Sequence, residues 1–447
     1  MIGGRGNIPQ DNGVGFSKKL FAPRVGFAYQ ITPETVIRSG YGISYHSHPW
    51  GAQALRGWYP LTVAAVFTGV NGFQPVTTGA GYVAAGVPNA PLGANVGIPS
   101  ICCPDISSGR VPLPGVAETG YPRANEELHR GYIQSWNLIV ERRLPFEIVT
   151  SIGYVGTASV RGFAFLDINA SQIPGSGDEG RPLFAEFERT TATREWDGRS
   201  HSNYHSLQLM LNRRFTKGLL LKGAYTWSKA IDEADYSDWT EYRWNASSVF
   251  YRNRALASHD IPHNFQFAFV YELPFGDGKK WLTTGTSAAI LGGWQLNGLF
   301  AAYAGRPYTL TASGSSLNMP GNQQTPDQIK DNVEEFGHVG DDGTFFDTSA
   351  FARVTEVRFG NVGRNTMRGP GVANLDMSLF RTFKLAGTVD LQFRAEAFNV
   401  TNTPHFGNPN GNVNSSNFGR ILSTQSGTGR DAFGRSREFR FGARLSF

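Results

Sequence analysis

From Arg437 to Phe447 every second residue is apolar: Phe439, Phe441, Ala443, Leu445 and Phe447. Between them stand Glu438, Arg440, Gly442, Arg444 and Ser446. Successive side chains leave a strand on opposite faces, so this alternation predicts a strand with one aromatic face and one charged face. A membrane-spanning barrel places the first kind of face against lipid and the second in its lumen. On that reading the last residue lies at the periplasmic rim, which fixes the direction of every earlier strand.

The same pattern recurs along the chain. Val25, Phe27 and Tyr29 alternate with Gly26, Ala28 and Gln30, and after Thr32-Pro33-Glu34 a second strand is expected over 35–45. Strands over about 131–142 and 148–156 flank Leu144-Pro145-Phe146-Glu147. Leu207, Leu209 and Leu211, then Leu219, Leu221, Tyr225 and Trp227, flank Thr216-Lys217-Gly218. Phe265, Phe267, Phe269 and Tyr271 form another strand, and Trp294, Leu296 and Phe300 the next. Trp281 to Leu291, between them, suggests a short helix or an extra turn. Leu375, Met377 and Leu379, then Val389, Leu391 and Phe393, flank a turn at Leu385-Ala386-Gly387-Thr388.

The pattern amounts to about eleven strands whose connections alternate short and long. Long loops are expected over 46–128, 157–203, 230–261, 305–372 and 401–436, with residues 1–20 as a further loop remnant and 21–447 as a partial barrel. Counted back from the C-terminus, every short turn falls on the periplasmic side, the asymmetry of outer-membrane barrels. The predicted fold is therefore all-β, a transmembrane antiparallel β-barrel. An odd strand number and the lack of a signal segment predict the C-terminal half of a larger barrel of about 22 strands.

Composition agrees. Charged residues are 17%, against roughly 25% in soluble domains. Aromatic residues reach 13% and there are 54 glycines. No apolar run is long enough for a transmembrane helix. The net charge of +5 is dispersed, without a basic block, which argues against nucleic acid as a partner. Cys102 and Cys103 are adjacent, without the spacing of a metal site. No nucleophile elbow, zinc-protease helix or phosphate loop is present, so no enzyme, cofactor or metal is expected.

Several stretches carry a family resemblance: Ala22-Pro23-Arg24-Val25-Gly26-Phe27, Ala224-Tyr225-Thr226-Trp227-Ser228-Lys229, Tyr271-Glu272-Leu273-Pro274-Phe275-Gly276, Gly305-Arg306-Pro307-Tyr308, Gly363-Arg364-Asn365 with Arg368-Gly369-Pro370-Gly371, and Phe393-Arg394-Ala395-Glu396-Ala397-Phe398-Asn399. Together they resemble the C-terminal barrel of TonB-dependent outer-membrane receptors. The closer similarity is to the Oar-like subgroup with an N-terminal carboxypeptidase-regulatory-like domain. The resemblance implies a barrel filled by an N-terminal plug and driven through TonB, with outer-membrane lipid, the plug and the other barrel half as partners. The solute it implies is open: a carbohydrate, siderophore or peptide. Surface adhesion without transport, and a soluble β-rich carbohydrate-binding protein, are the alternatives.

Two groups of residues are candidate sites. Lys222, Glu272, Asp390, Arg394, Glu396, Arg440 and Arg444 fall on the polar parity and are expected to face the lumen, their mixed signs suiting cross-strand pairs. Tyr236, Trp239, Tyr242 and Trp244 stand among carboxylates in a long loop. Such aromatics suit stacking on a sugar or cation, and equally suit a loop that folds on itself. The histidine pairs His46/His48 and His201/His205 lack a nearby third metal ligand, and Gly340-Asp341-Asp342-Gly343 lacks calcium-loop spacing. If lipid covers the wall, Phe265, Phe267, Phe269, Phe439, Phe441 and Phe447 are all expected to be exposed in the protein alone.

Overall fold

The computed structural model describes residues 6–7, 15–16, 20–46, 121–124, 127–234, 241–340, 343–386, 389–425 and 436–447. The expected loop 46–128 lies almost wholly outside them, as do His48, Trp50, Trp58, Tyr59, Cys102, Cys103, Tyr236, Trp239, Asp341 and Asp342.

Eleven long strands follow one another across a single sheet in chain order. They are β1 (Arg24–Thr32), β2 (Thr35–Tyr45), β3 (Tyr132–Leu144), β4 (Ile148–Asp167), β5 (Thr193–Thr216), β6 (Leu219–Asp232), β7 (His263–Glu272), β8 (Trp294–Tyr303), β9 (Val372–Ala386), β10 (Val389–Phe398) and β11 (Glu438–Ser446). Each pairs antiparallel with its predecessor.

Directly paired residues share a face, so the register carries one face from edge to edge. Starting at Phe441, the row runs through Ala395, Leu379, Leu296, Tyr271 and Leu219. A parallel row runs from Trp227 through Leu207, Tyr154 and Leu138 to Ser39 and Phe27. This face is apolar through its middle but for a few residues such as Ser39, whose hydroxyl donates to the Asn137 carbonyl at 2.8 Å. Toward the loop end it carries Tyr41, Trp136, Tyr154, Tyr225 and Trp227, and toward the turn end Tyr29, Tyr271, Trp294 and Phe393. Two aromatic girdles bounding an apolar band are what the two membrane interfaces select.

Phe439, Phe441 and Phe447 are 58%, 74% and 95% exposed and Phe265 is 38% exposed, as outward residues without lipid should be. Phe267 and Phe269 are only half exposed, contrary to expectation. Their rings lie along the wall rather than away from it, 6.2 Å apart between centroids. Phe269 lies over Gly298, where a Cβ would stand 2.2 Å from Cε1. Trp136 covers Gly156 in the same way. An aromatic ring laid over a glycine restores packing that the missing side chain would have supplied.

Short and long connections alternate as the sequence predicts. Lys217 and Gly218 both have positive φ, the geometry of a two-residue hairpin turn with primed twist. Phe146 and Glu147 turn β3 into β4 with positive φ as well. At the other end one expectation changes. β4 and β5 run on together beyond the expected strand end at Gly156, to Asp167 and Thr193, with register shifts around Ser159–Gly162. The expected loop 157–203 thus shrinks to 168–192. The described parts of the third, fourth and fifth loops are folded. Leu310, Phe345, Phe346, Phe351, Met367 and Ile421 bury one core between the fourth and fifth loops. Trp244, Ala246, Val249, Leu317 and Met319 bury another between the third and fourth. The loops form a folded crown on the wall.

β1 and β11 each leave one edge unpaired among the described residues. An open sheet edge is untenable in hydrocarbon, where every backbone polar group must be satisfied within the protein. Residues 1–447 expressed alone should therefore give no heat-modifiable, protease-resistant pore in liposomes; a stable one on a cold-versus-boiled gel would contradict the open sheet.

Candidate functional site: the inner face and its crown

The parity opposite the aromatic face is polar across the sheet. The paired rows from Asn264 and Gln266 run through Tyr303 and Ala301 to Val372 and Asn374 on one side, and through Thr226 and Ala224 to Gln208 and Met210 on the other. Mid-wall, this face forms a trough of about 510 Å³ lined by Glu141, Ser151, Met210, Asn212, Lys222 and Gln266. Val149, Met210, Leu211, Ala268, Phe267 and Leu299 complete the lining, so the charge, hydroxyl and amide groups that suit water or a polar solute stand among apolar ones.

The register places all seven expected lumenal charges on this face. Lys222 lies opposite Asn212 and Ala268. Glu272 ends β7 and accepts from Lys279 at 2.5 Å. Asp390 lies opposite Lys384, Glu396 opposite Arg440, and Gln392 opposite Arg444. Arg394 donates to Gln392 at 2.8 Å and stacks over Phe380 at 4.9 Å. Arg440 pairs with Glu438 at 2.6 Å and lies 4.9 Å over Phe398. Arg38 and Glu141 add a further cross-strand pair at 3.7 Å.

The crown packs against the upper part of this same face. Ser206, Ala230, Asp232, Ala301 and Asn374, all of inner parity, are buried. Outer-parity neighbours at the same height, such as Trp227 at 57% exposure, are open. The loops therefore fold inward over the mouth of the wall instead of standing away from it.

Two arginines fasten them. Arg364, in Gly363-Arg364-Asn365, is buried and donates to both the carboxylate and the carbonyl of Asp232 at the end of β6, and to the Asn253 carbonyl at 3.0 Å. Asn365 adopts positive φ, trades hydrogen bonds with Thr309, and donates to the Leu256 carbonyl at 2.7 Å. Arg368 donates to the Asp260 carboxylate, which in turn accepts from the Ala230 amide at 2.6 Å. Beside them Gly305 crosses Gly369 so closely that a Cβ would lie 1.7 Å from the Gly369 carbonyl oxygen. The motifs that carried the family resemblance thus join the fourth loop to the third. Sequence reasoning quoted these residues without a mechanism; the close succession of Arg, Asn, Arg and Gly in a loop was the only signal.

Of the aromatic loop residues, Tyr236 and Trp239 lie outside the described residues. Trp244 is fully buried, donates from Nε1 to the Gln323 carbonyl at 2.9 Å, and is flanked by Asn253. Tyr242 is 4% exposed and packs 4.7 Å from Phe250, its burial pushing the phenol well above its ordinary pKa. Both rings serve the interior of the crown and neither offers a face to a ligand. His205 stacks with Tyr154 on the outer face, His201 meets Glu233 at 3.3 Å, and His46 bonds Ser159 at 3.0 Å.

Ion pairs also tie the crown internally. Arg358 forks onto Asp327 at 2.7 and 3.0 Å, and this bonding, helped by the Asn361 amide, holds the Asp327 carboxyl below the usual range. Lys330 and Ser349 hold Asp347 low in the same way. A carboxylate with a depressed folded pKa stabilises fully above its unfolded value, and loses that contribution as pH falls through the folded one. Hydrogen exchange over 326–351 should therefore keep its protection down to about pH 4 and lose it below. In Asp327→Asn/Asp347→Asn the protection should be lower throughout and less dependent on pH.

With this geometry in view, the chain belongs to the outer membrane beta barrel domain family, whose model it matches over residues 1–439. Its place is the bacterial outer membrane, and the aromatic face is its lipid face; the soluble alternative falls away. Similar solved structures include the outer membrane transporter YddB from Escherichia coli, at 9% identity and a TM-score of 0.46, over 94% of this chain and 40% of that one. The ferric-catecholate import receptor Fiu from K12 E. coli is 11% identical, with a TM-score of 0.39, over 94% and 34%. The siderophore receptor PiuA from Acinetobacter baumannii is 10% identical, with a TM-score of 0.39, over 95% and 35%. The chain spans two-fifths or less of the length of these structures. No curated protein matches it significantly.

Proposed function

We propose that the chain forms part of the wall and the folded mouth of a TonB-dependent receptor of the Oar-like subgroup, taking up a polar solute through the lumen. One observation carries this reading: a polar inner face, continuous over eleven strands, lies beneath loops folded inward upon it. Loops that only displayed an adhesive surface would gain nothing from burying the inner wall. The mixed charges of Lys222, Asp390, Arg394, Glu396, Arg440 and Arg444 suit a hydrated path or a plug surface. In this role the protein is a carrier and performs no covalent chemistry. The motifs in Gly305–Tyr308 and Gly363–Gly371 support the subgroup assignment through resemblance. On this reading the eleven wall strands would supply half of a barrel of about 22 strands, with the plug, the other half and TonB as partners.

The test is uptake by cells producing the full-length protein. Labelled oligosaccharides, ferric siderophores and oligopeptides are offered to tonB-positive and tonB-negative cells. Accumulation of one class only in the tonB-positive cells is the expected result. Surface binding without accumulation, equal in both strains, would replace uptake with adhesion.

A further inference from the structure

Among the described residues, the connection between β7 and β8 is the one at the turn end that carries a helix, α1 (Gly285–Leu291). Its first half is polar, Thr286 and Ser287, and its second half apolar, Ala288 to Leu291. The apolar end is held by side chains of the lipid face. Trp294 and Arg381 are directly paired and belong to the outer parity. Trp294 Nε1 donates to the Ile290 carbonyl at 3.0 Å. Arg381 donates to the same carbonyl at 2.7 Å and to the Ala289 carbonyl. Its guanidinium is also stacked, 5.5 Å from the Trp294 ring and 4.3 Å from Phe383. A cation that satisfies the last carbonyls of a helix both caps it and complements its dipole.

This clamp sets the helix against the outside of the wall, at the turn end, where the apolar band stops. There Ile290 is 60% and Leu291 47% exposed, and in the same connection Trp281 is 50% and Leu282 41% exposed. Lys280 stands 4.8 Å over the Trp281 ring. Single apolar side chains are exposed at other turns, Phe146 and Leu385 among them, but this connection groups four large ones together. The apolar patch is continuous with the lipid face through Trp294 and Phe393, whose rings meet edge to face at 6.2 Å.

We propose that this connection is an interfacial anchor. Trp281, Leu282, Ile290 and Leu291 enter the acyl boundary of the periplasmic leaflet, and Lys280 meets its phosphates. The occupant of the patch is phospholipid. Tryptophan and leucine on a short amphipathic element with an adjacent lysine are the composition that this boundary favours. The anchor rests on the outer-membrane placement of the wall and is independent of what the lumen carries.

Nitroxide labels at Ile290→Cys and Leu291→Cys, in a Cys102→Ser/Cys103→Ser background of the full-length protein in outer-membrane vesicles, test it. Lys217→Cys supplies the water-facing reference and Phe441→Cys the lipid-facing one. At 290 and 291, collision with oxygen should exceed collision with a water-soluble nickel chelate, as at 441 and opposite to 217. Arg381→Gln, which leaves the chain between β7 and β8 intact, should shift both labels toward the nickel reagent. Should the variants fail to insert, the Trp281→Phe difference in quenching by lipids brominated near the headgroup reports the same contact in a protein with native cysteines. Nickel access equal to that at 217 would overturn the anchor. So would shielding from both reagents, the mark of a covering protein, or the absence of a Trp281 component in the quenching.

Discussion

Arginine at Phe267 should destabilise the inserted protein by about 2–4 kcal/mol, whereas arginine at its neighbour Gln266 should cost little. Phe267 stands in the middle of β7, directly opposite Gly223 and Phe300 on the lipid face. A guanidinium there must snorkel past the apolar band or drag water into it, and the ring that covers Gly223 is lost as well. Gln266 leaves the same strand on the other side, into the trough beside Lys222 and Asn212. Urea unfolding of the full-length protein in vesicles, followed by the cold-versus-boiled gel shift, should give a lower midpoint for Phe267→Arg and a near-native one for Gln266→Arg. Equal losses would mean that both faces of β7 are buried in protein.

The second large effect belongs to Arg364. Breaking a buried ion pair by removing one partner costs about 3–5 kcal/mol, because the remaining charge is stranded. Arg364→Ala would take the buried guanidinium away from the Asp232 carboxylate, which is 6% exposed at the end of β6, and from the Asn253 carbonyl. The loss should appear in the crown and not in the wall. Hydrogen exchange should quicken over 242–260 and 305–371 while β5 to β8 keep their protection. Arg364→Met with Asp232→Leu should recover part of the loss, since replacing both members of a buried pair by apolar residues costs less than removing one. Accelerated exchange throughout the wall would show that crown and wall unfold as one unit.

What the sequence made legible follows from period. A strand in a one-sided environment must alternate, so Phe439 to Phe447 and Phe265 to Tyr271 declared both their conformation and their faces. The seven charges on the opposite parity followed from the same rule. The crown obeys no period. Leu310, Leu317, Phe346 and Ile421 are buried by contacts between loops far apart in the chain, and no local spacing announces such a core. The aromatic loop was open to two interpretations for that reason, and the burial of Tyr242 and Trp244 fits the one in which the loop packs on itself. The extension of β4 and β5 was hidden because above the membrane both faces meet protein, and Phe163-Ala164-Phe165-Leu166 runs apolar without alternation. The helix at Gly285–Leu291 was half visible, as an overlong turn rich in apolar residues; its clamp by Arg381 was not, because that arginine lies on a distant strand.

The membrane placement of the wall rests on the assignment of its two faces. Nitroxide labels placed one at a time at 265, 266, 267, 268 and 269, in a Cys102→Ser/Cys103→Ser background of the full-length protein in outer membranes, test it directly. Collision with membrane-dissolved oxygen should rise and fall with a period of two, high at 265, 267 and 269 and low at 266 and 268. The reverse phase, or no alternation at all, would contradict a lipid-facing aromatic wall.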